Sequence, residues 1–534
     1  IENINQRCFH TALLFGVTGS GKTMIYIELV RKIISQKRSA IILVPEIALA
    51  WQMVRCFLQY FGEYVVVLHS QLSSGERYDT WQRLRQGNAK IVIGARSAIF
   101  APLQDLGLIV VDEEHDSSYK QEDIGSSFPV NYNARDVAVK RARDCNALIV
   151  LGSATPSLES YYNAKSEKYS LYALHKRVDD RPLPEVHVVD MTREPFQKKQ
   201  RAIFSKFLRL KIKESLKRNQ QILLLQNRRG FSPFINCTSC GEFVKCVNCH
   251  VSLTYHRSRE GASVKCHYCN FSKSIPSVCE SCGVEGLRFD GVGTQKVEEE
   301  LIKQFPSIRV IRMDVDTTGW KGAHDDLIER FRHHEADVLL GTQMVAKGLD
   351  FPDVTLVGVI SADTGIHMPD FRAAERSFQL LTQVAGRSGR GREPGEVVVQ
   401  TRLPDDPVLK NAAGQDFLAF AERELRERKE AGFPPYGRLL VFRWKGSEDS
   451  SVESAAREGV GELIRYADSN ISVLGPAPAP ISRLRGDFRW QALIRGPSAF
   501  KLREITHKVW PALNVTAKRY YSSLTVNVDP LTIM

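Results

Sequence analysis

A chain of 534 residues is too long for one hydrophobic core, and roughly three to four folded units are expected. With 43% hydrophobic and 25% charged residues it is neither disordered nor fibrous in composition, and apolar stretches such as Ala147 to Leu151 and Leu356 to Ile360 fall far short of the roughly 18 residues a membrane helix needs. Lys and Arg number 73 against 61 Asp and Glu, a formal net charge of +12 that suits a polyanion-binding surface. Ile1 to Arg7 lack the basic-then-apolar pattern of a secretory leader, so a cytoplasmic protein with no membrane partner is expected.

Short β-branched runs, polar loops and helical patterns alternate along most of the chain, the signature of parallel sheets flanked by helices. Thr11 to Phe15, Ala40 to Val44, Lys90 to Ile93, Leu106 to Val111 and Ala147 to Leu151 form a first set within 1–175. A Pro- and charge-rich stretch containing Arg181-Pro182-Leu183-Pro184 reads as a linker over 176–205. Gln221 to Leu225, Arg309 to Arg312, Val338 to Gly341, Val354 to Ile360 and Val397 to Thr401 form a second set, spanning 206–236 and 286–405 and interrupted by a cysteine-rich insertion over 237–285. The charged helical run Ala419 to Ala431 and the alternating strands beyond it predict a small α+β C-terminal domain over 406–534.

The first chemical motif is Gly16-Val17-Thr18-Gly19-Ser20-Gly21-Lys22-Thr23, a GxxxxGK[ST] phosphate-binding loop with the apolar strand Ala12 to Phe15 before it and the helical pattern Met24 to Ile34 after it. Glycines let the backbone N–H groups curl around phosphates. Lys22 is expected to neutralise the β and γ phosphates of ATP, and the Thr23 hydroxyl to ligate magnesium. The strand Leu106 to Val111 then delivers Asp112-Glu113-Glu114-His115; Asp112 is expected to hold Mg2+, and Glu113 to orient and activate the attacking water.

Eight of the 11 cysteines form C-x-x-C pairs: Cys237/Cys240, Cys246/Cys249, Cys266/Cys269 and Cys279/Cys282. Two intervening residues aim both thiolates of a pair at one point, so two structural, four-thiolate Zn2+ sites account for all of them. The separation of Cys246/Cys249 from Cys266/Cys269 fits the common C-x2-C-x15-20-C-x2-C arrangement, which leaves Cys237/Cys240 to join Cys279/Cys282 across the base of the insertion. Gly241 and Gly283 follow the outer pairs, letting the backbone turn under the metal. His250, His256 and His267 read as bystanders, with a His-for-Cys exchange left open. Cys8, Cys56 and Cys145 are expected to be buried thiols.

Gln383-Val384-Ala385-Gly386-Arg387-Ser388-Gly389-Arg390 brings positive charge from the second set of strands. On a helix Arg387 and Arg390 face the same way, and arginine at a γ-phosphate stabilises transition-state charge. ATP bound between two sheets, a motor arrangement, is the expectation.

In order and spacing, Gly16 to Thr23, Asp112 to His115, Ser153-Ala154-Thr155 and Gln383 to Arg390 resemble the motifs of the superfamily 2 DNA helicases. That resemblance implies that the Ser-Ala-Thr element links hydrolysis to DNA movement, and that Gly341 to Asp350 touches both strand backbone and nucleotide. Leu43 to Leu49, Gly94 to Phe100, Asn227 to Gly230, Gly291 to Lys296, Asp314 to Thr317 and Gly475 to Pro480 are similar to segments of the bacterial primosomal protein N′ (PriA) family of replication-restart helicases. The similarity covers nearly the whole chain.

What this resemblance implies is an α/β fold of two RecA-like helicase lobes with parallel sheets, a two-zinc insertion in the second lobe, nested as above, and a small C-terminal domain. It further implies an ATP-dependent, DNA-stimulated 3′-to-5′ helicase that remodels stalled or abandoned replication forks and promotes primosome assembly and reloading of the replicative helicase. Single-stranded and forked DNA, primosome proteins, the replicative helicase and single-stranded DNA-binding protein are the implied partners. Two readings stay beside it: an ATP-driven duplex DNA translocase, and a zinc-bearing primosome scaffold with a dispensable ATPase. Lys22, Asp112, Glu113, Arg387 and Arg390 argue against the scaffold but do not separate helicase from translocase.

Family members carry an N-terminal DNA-binding region ahead of the helicase core, whereas here the phosphate loop begins at Gly16. A chain lacking that region is expected, either as a fragment or with fork recognition supplied by another module. Tyr119 to Asp123, Phe128 and Tyr132 match the position of the family's aromatic-rich loop; base stacking and ordinary packing are both open for Phe128 and Tyr132. Ile481 to Trp490 interleaves basic and aromatic residues, either as a single-strand contact through Arg483, Arg485 and Arg489 or as a half-buried strand with arginines on its wet face.

Overall fold

The computed structural model describes residues 7–533 apart from 46, 70–71, 123–130, 179–181, 195, 198–199, 227–234, 238, 250, 259–260, 286, 290–292, 315–316, 318–322, 347–350 and 390–392. The first lobe is a seven-stranded sheet of β1 (His10–Gly16), β2 (Ser39–Leu43), β3 (Val65–Leu68), β4 (Ile91–Gly94), β5 (Leu106–Asp112), β6 (Leu148–Ser153) and β7 (Ser170–Leu174). Its order is β3-β4-β2-β5-β6-β1-β7, with every pairing parallel. Alternate residues of β5 feed opposite faces: Ile109 and Val111 join one buried cluster, Leu108 and Val110 another. Such two-sided burial is why its sequence reads as a continuous apolar run. The carboxyl ends of β1, β5 and β6 lie side by side, so the phosphate loop, Asp112 and Ser153 share one rim.

The second sheet has six strands, β8 (Glu185–Asp190), β9 (Gln221–Leu225), β10 (Val310–Met313), β11 (Val338–Gly341), β12 (Val354–Val359) and β13 (Glu396–Thr401), in the order β8-β13-β12-β9-β11-β10 and again all parallel. Strand β8 lies inside the segment read as a linker. Its residues are half-buried or exposed because among the described residues it pairs on one side only, with β13, so its apolar signal is diluted by edge polarity and by the prolines before it.

Between β9 and β10 comes the cysteine-rich insertion, closed at its base by antiparallel pairing of Ile235–Cys237 with Leu287–Phe289. The C-terminal domain is an antiparallel four-stranded sheet of β14 (Arg438–Gly446), β15 (Ser472–Leu484), β16 (Asp487–Gly496) and β17 (Ser523–Val528), in the order β15-β16-β14-β17. Strand alternation sends Leu440, Phe442 and Trp444 onto the helices Asp449–Tyr466 and Ala499–Arg519. Leu439, Val441 and Leu493 go the other way, against Cys246, Val264, Cys266 and Tyr268 of the insertion.

Two parallel-sheet lobes, a cysteine-rich insertion in the second and a small α+β domain are thus the α/β architecture expected. Among the described residues no helix is long and apolar enough to cross a membrane. The lone cysteines correct an expectation: Cys8 and Cys145 are exposed and Cys56 is half-buried. Cys8 precedes β1, and Cys145 is the C-cap of the helix Ala134–Asp144; both stand at the ends of elements, where packing against a sheet face has not begun or has already stopped.

Candidate active site and metal centres

The phosphate loop joins β1 to helix α1 (Lys22–Ser35). Gly19 and Gly21 have φ of 80° and 84°, the left-handed region that glycine enters without strain, and among the described residues no side chain caps the start of α1. Its first N–H groups are therefore oriented for an anion. Lys22 Nζ donates to Gly16 O at 2.8 Å and to Val17 O at 3.5 Å, and Ser20 Oγ is buried without a hydrogen-bond partner among the described residues. Val17, Thr18 and Thr23 lie half-buried around the same turn.

Asp112 ends β5 in a pocket built by two buried tyrosines. Tyr26 OH donates to its Oδ1 at 2.9 Å, and Tyr119 OH donates to its carbonyl at 2.6 Å. Burial, then the charge of Glu113, pushes the Asp112 carboxyl up to about 7, against the pull of Lys22. A buried carboxylate that resists holding its charge alone is a fitting ligand for a divalent cation. Glu113 has φ 46°, a strained value for a side chain with a Cβ, and its Oε2 is buried without a hydrogen-bond partner among the described residues. Such strain is tolerated where the surroundings dictate the backbone, here by hydrogen bonds from Glu114 N to Gly152 O and from Asp116 N to Glu113 O.

Glu114 and His115 are both engaged in hydrogen bonds. Glu114 accepts from Ser157 N at 2.6 Å, Ser160 Oγ at 2.8 Å and Arg135 Nη1 at 3.1 Å. Gln383 Nε2 of the second lobe donates to His115 Nε2 at 2.9 Å; the ring proton is then on Nδ1, which donates to Ser153 Oγ at 2.7 Å. Sequence reading missed this bridge because its members come from three separate motifs.

A second bridge was also missed. Helix α2 (Leu158–Lys165) starts where the Ser-Ala-Thr element ends, and its first N–H, Leu158 N, donates to Glu375 Oε1 of the second lobe at 3.0 Å. Glu375 is on helix α3 (Ala373–Ala385) and also meets Arg428 Nη2 at 2.7 Å, while Glu159 of α2 meets Arg372 at 2.7 Å. Burial alone would raise the Glu375 carboxyl, but Arg428 and Arg372 hold it down at about 2. No local signal in the sequence marked Glu375, which shares its helix face with Phe378, Gln379 and Thr382.

The sign of that shift gives a prediction. A folded value near 2 against an ordinary 4.5 means that the stabilisation is fully present above about 4.5 and is lost as pH falls toward 2. Glu375→Gln should therefore lower the unfolding free energy at pH 7 by about 3 kcal/mol, with the deficit shrinking below pH ~4.5. Denaturant melts across pH check it, and a pH-independent deficit would contradict the assigned charge.

The second-lobe arginines require a correction. Helix α3 ends at Ala385, and Gly386 and Arg387 form a turn, so Arg387 stands beyond the helix on which it was expected. Beyond the turn the buried Ser388 hydroxyl donates to Thr355 O at 3.3 Å, and Gly389 has φ 68°. Arg387 is half-buried; Arg390 lies outside the described residues. A Cβ at Gly386 would stand 2.8 Å from Thr18 Oγ1, so this turn already presses on the phosphate loop.

Also outside the described residues are Glu46, Asn227 to Gly230, Gly291 and Val292, Val315 and Asp316, and Lys347 to Asp350. So are Asp123 to Phe128 of the aromatic-rich loop and His250. At the base of that loop Tyr132 packs edge-on to Phe100, ring centroids 5.3 Å apart, and lies under Arg96.

The eight paired cysteines form two groups, Cys237, Cys240, Cys279 and Cys282, and Cys246, Cys249, Cys266 and Cys269, each with sulfurs within 4.8 Å of one another. This is the nested partition that spacing selects. Cys237 to Cys282, Cys240 to Cys279 and Cys246 to Cys269 are 3.6, 3.7 and 3.7 Å apart. Four thiolates around zinc at about 2.3 Å require about 3.8 Å between sulfurs, whereas a disulfide requires about 2.05 Å. The donor set and its spacing fit zinc. Gly241 and Gly283 adopt φ of 82° and 73° under the outer group. His267 turns its Nδ1 to Pro478 O at 2.8 Å, away from the sulfurs.

Residues 2–164 match the DEAD/DEAH box helicase family, 290–392 the helicase conserved C-terminal domain, and 429–531 the primosomal protein N C-terminal domain. The replication restart protein PriA of Bacillus subtilis is 44% identical over 522 residues, covering 98% of this chain and 64% of that protein. The protein of the same name from Chlamydia muridarum is 43% identical over 529 residues, covering 98% and 69%. Among solved structures, RecG bound to a three-way DNA junction is matched at 16% identity and a TM-score of 0.46, over 78% of this chain and 44% of that one. The chain spans less than two thirds of the length of the Bacillus subtilis relative. On this identity over nearly the whole of its own length, the chain belongs to the replication restart protein PriA family.

Proposed function

We propose that this chain is the motor of an ATP-dependent 3′-to-5′ DNA helicase that acts in the cytoplasm on stalled or abandoned replication forks and prepares them for reloading of the replicative helicase. The observation that carries the reading is the contact across the cleft: Gln383 reaches His115, and Gly386 presses on Thr18 of the phosphate loop. A loop held between two lobes couples its occupant to their spacing, as a motor requires.

In this reading Gly16, Val17, Thr18, Gly19, Ser20 and Gly21 wrap the phosphates with backbone N–H groups, and Lys22 exchanges its carbonyl partners for phosphate oxygens. Thr23 and Asp112 hold magnesium, which would neutralise charge developing on the phosphates. Glu113, preset by its backbone, takes the proton of the attacking water. Arg387 and Arg390 supply cationic charge from the second lobe. Zinc bound by each four-cysteine group is structural, because a shell closed by thiolates leaves no open position for water. Single-stranded and forked DNA are the substrates; primosome proteins, the replicative helicase and single-stranded DNA-binding protein are the proposed partners.

The test is strand displacement from duplexes bearing either a 3′ or a 5′ single-stranded tail, with ATP hydrolysis measured with and without DNA. DNA-stimulated hydrolysis with release from the 3′-tailed substrate is expected. Hydrolysis without strand release would replace the helicase with a duplex translocase, and DNA binding without hydrolysis would leave the scaffold.

A further inference from the structure

One helix that follows the last strand of the second sheet is seated on both lobes at once. Helix α4 (Phe417–Ala431) leads toward the C-terminal domain. Its Phe417 ring lies 5.2 Å, centroid to centroid, from Phe15, the residue before the phosphate loop, and 5.2 Å from Tyr161 of α2. Phe420 stacks on Phe378 of α3 at 4.3 Å. The first turn of α4 is thus wedged into the seam where β1, α2 and α3 meet, its apolar side chains touching all three.

Near the other end of the same helix stands the buried Arg428. Glu424, one turn earlier, accepts from its Nε at 3.1 Å, and Pro434 O accepts from its Nη1 at 3.4 Å, so the guanidinium is aimed by its own helix and by the turn beyond it. Phe371 covers it, with 5.4 Å between the ring centroid and Cζ. Nη2 then donates to Glu375 Oε2 at 2.7 Å, which leaves Oε1 to accept from Leu158 N at 3.0 Å.

Leu158 N is the N–H next after that of Ser157, and Ser157 grips Glu114. Its N–H donates to Glu114 Oε1 at 2.6 Å and its hydroxyl to Oε2 at 3.0 Å. Glu114 is the chain neighbour of Glu113, the proposed base, whose φ of 46° persists only while its surroundings dictate it. An unbroken series of links through Glu375, Leu158, Ser157 and Glu114 therefore joins Arg428 to the acidic turn.

Stability alone is a weak reason for this arrangement, because replacing a buried ion cluster by well-packed apolar residues is often neutral or stabilising. An apolar side chain does not hold one carboxylate oxygen and leave the other for a chosen N–H. A guanidinium fork does.

We propose that Arg428 is a positioning residue for ATP hydrolysis: by holding Glu375 on Leu158 N it sets the start of α2 and, through it, the turn that carries Glu113. It acts through Glu375 and not on the nucleotide. The proposal rests on the ATP-driven reading of the site.

The test is steady-state ATP hydrolysis by the full chain with saturating oligothymidine, beside direct binding of a fluorescent ATP analogue. The variants are Arg428→Met, Arg428→Lys, Glu375→Gln and the double variant Arg428→Met/Glu375→Gln. Arg428→Met should lower kcat roughly tenfold to a hundredfold, the scale of a small misplacement of a catalytic group. Affinity for the analogue should stay at the wild-type value, because the phosphate loop keeps its own geometry. Arg428→Lys, which keeps the charge without the fork, should fall between wild type and Arg428→Met. The double variant should lose no more than Glu375→Gln alone, since effects that run through one contact do not add. It also removes both partners of the pair together, so it carries the test if Arg428→Met does not fold. Unchanged kcat in the double variant, or losses that multiply in it, would overturn the proposal. A fall in analogue binding that matches the fall in kcat would overturn it too, and leave Arg428 a residue of fold stability. Wild type that binds the analogue and does not hydrolyse ATP would sink the ATP-driven reading; hydrolysis that is normal in wild type and in every variant sinks only the positioning role.

Discussion

Replacement of Lys22 by alanine should reduce ATP hydrolysis by roughly two to three orders of magnitude, the scale of losing one transition-state donor, and strand displacement should disappear with it. Lys22 Nζ is satisfied by Gly16 O and Val17 O, so it is held over the loop rather than extended into solvent. The substitution removes both that clasp and the only charge within the phosphate-loop motif itself. A melt that matches wild type would establish that the fold survives, and steady-state hydrolysis with and without DNA then reads the chemistry. Unwinding that persists in Lys22→Ala would remove the ATP-driven mechanism altogether.

The second large effect concerns the metal centres. Metal analysis of the purified chain should give about two zinc ions, and Cys246→Ser should leave about one. Zinc binding is coupled to folding, with apparent free energies of about 10–16 kcal/mol in small zinc domains, so loss of the inner site should be felt beyond the insertion. Cys246 and Cys266 belong to the same apolar cluster as Leu439, Val441 and Leu493, and His267, between two ligands, bonds to Pro478 O. Amide exchange of Arg438–Gly446 should therefore quicken in Cys246→Ser. Cys282→Ser, at an exposed position of the outer group, should leave that strand protected. Finding no zinc in carefully purified wild type, or unaltered exchange in Cys246→Ser, would sink this account.

Both effects fall where sequence was informative, because both motifs are short-range. A GxxxxGK[ST] loop and a C-x-x-C turn are each completed by consecutive residues, so their geometry is carried by the local backbone: Gly19 and Gly21 in one, Gly241 and Gly283 in the other. Residues whose roles depend on a distant partner were opaque. His115 is one polar residue among four until Gln383 arrives from the other lobe, and Glu375 is one polar residue of a mixed helix until Leu158 N and Arg428 converge on it. Local pattern also misled where a chain reversal intervened. Arg387 has helical spacing to its neighbours, yet the helix ends at Ala385 and Gly386, whose missing Cβ leaves room for Thr18, turns the chain away.

Edges and surfaces failed for a related reason. Among the described residues strand β8 has a partner on one side only, and Cys8 and Cys145 stay exposed at the ends of their elements; apolarity along a sequence does not say which face a neighbour will cover. The same holds for Arg489, which reads in Ile481 to Trp490 either as a single-strand contact or as a wet-face arginine and is buried at 8% exposure. By itself the sequence determined the α/β class, the phosphate loop, the acidic strand end and the nested cysteine partition, since each is encoded in period or spacing along the chain. Only the tertiary structure decided how the lobes grip one another, where the second-lobe helix stops and which charges are buried with few partners, because those depend on strands and helices that meet far apart in sequence.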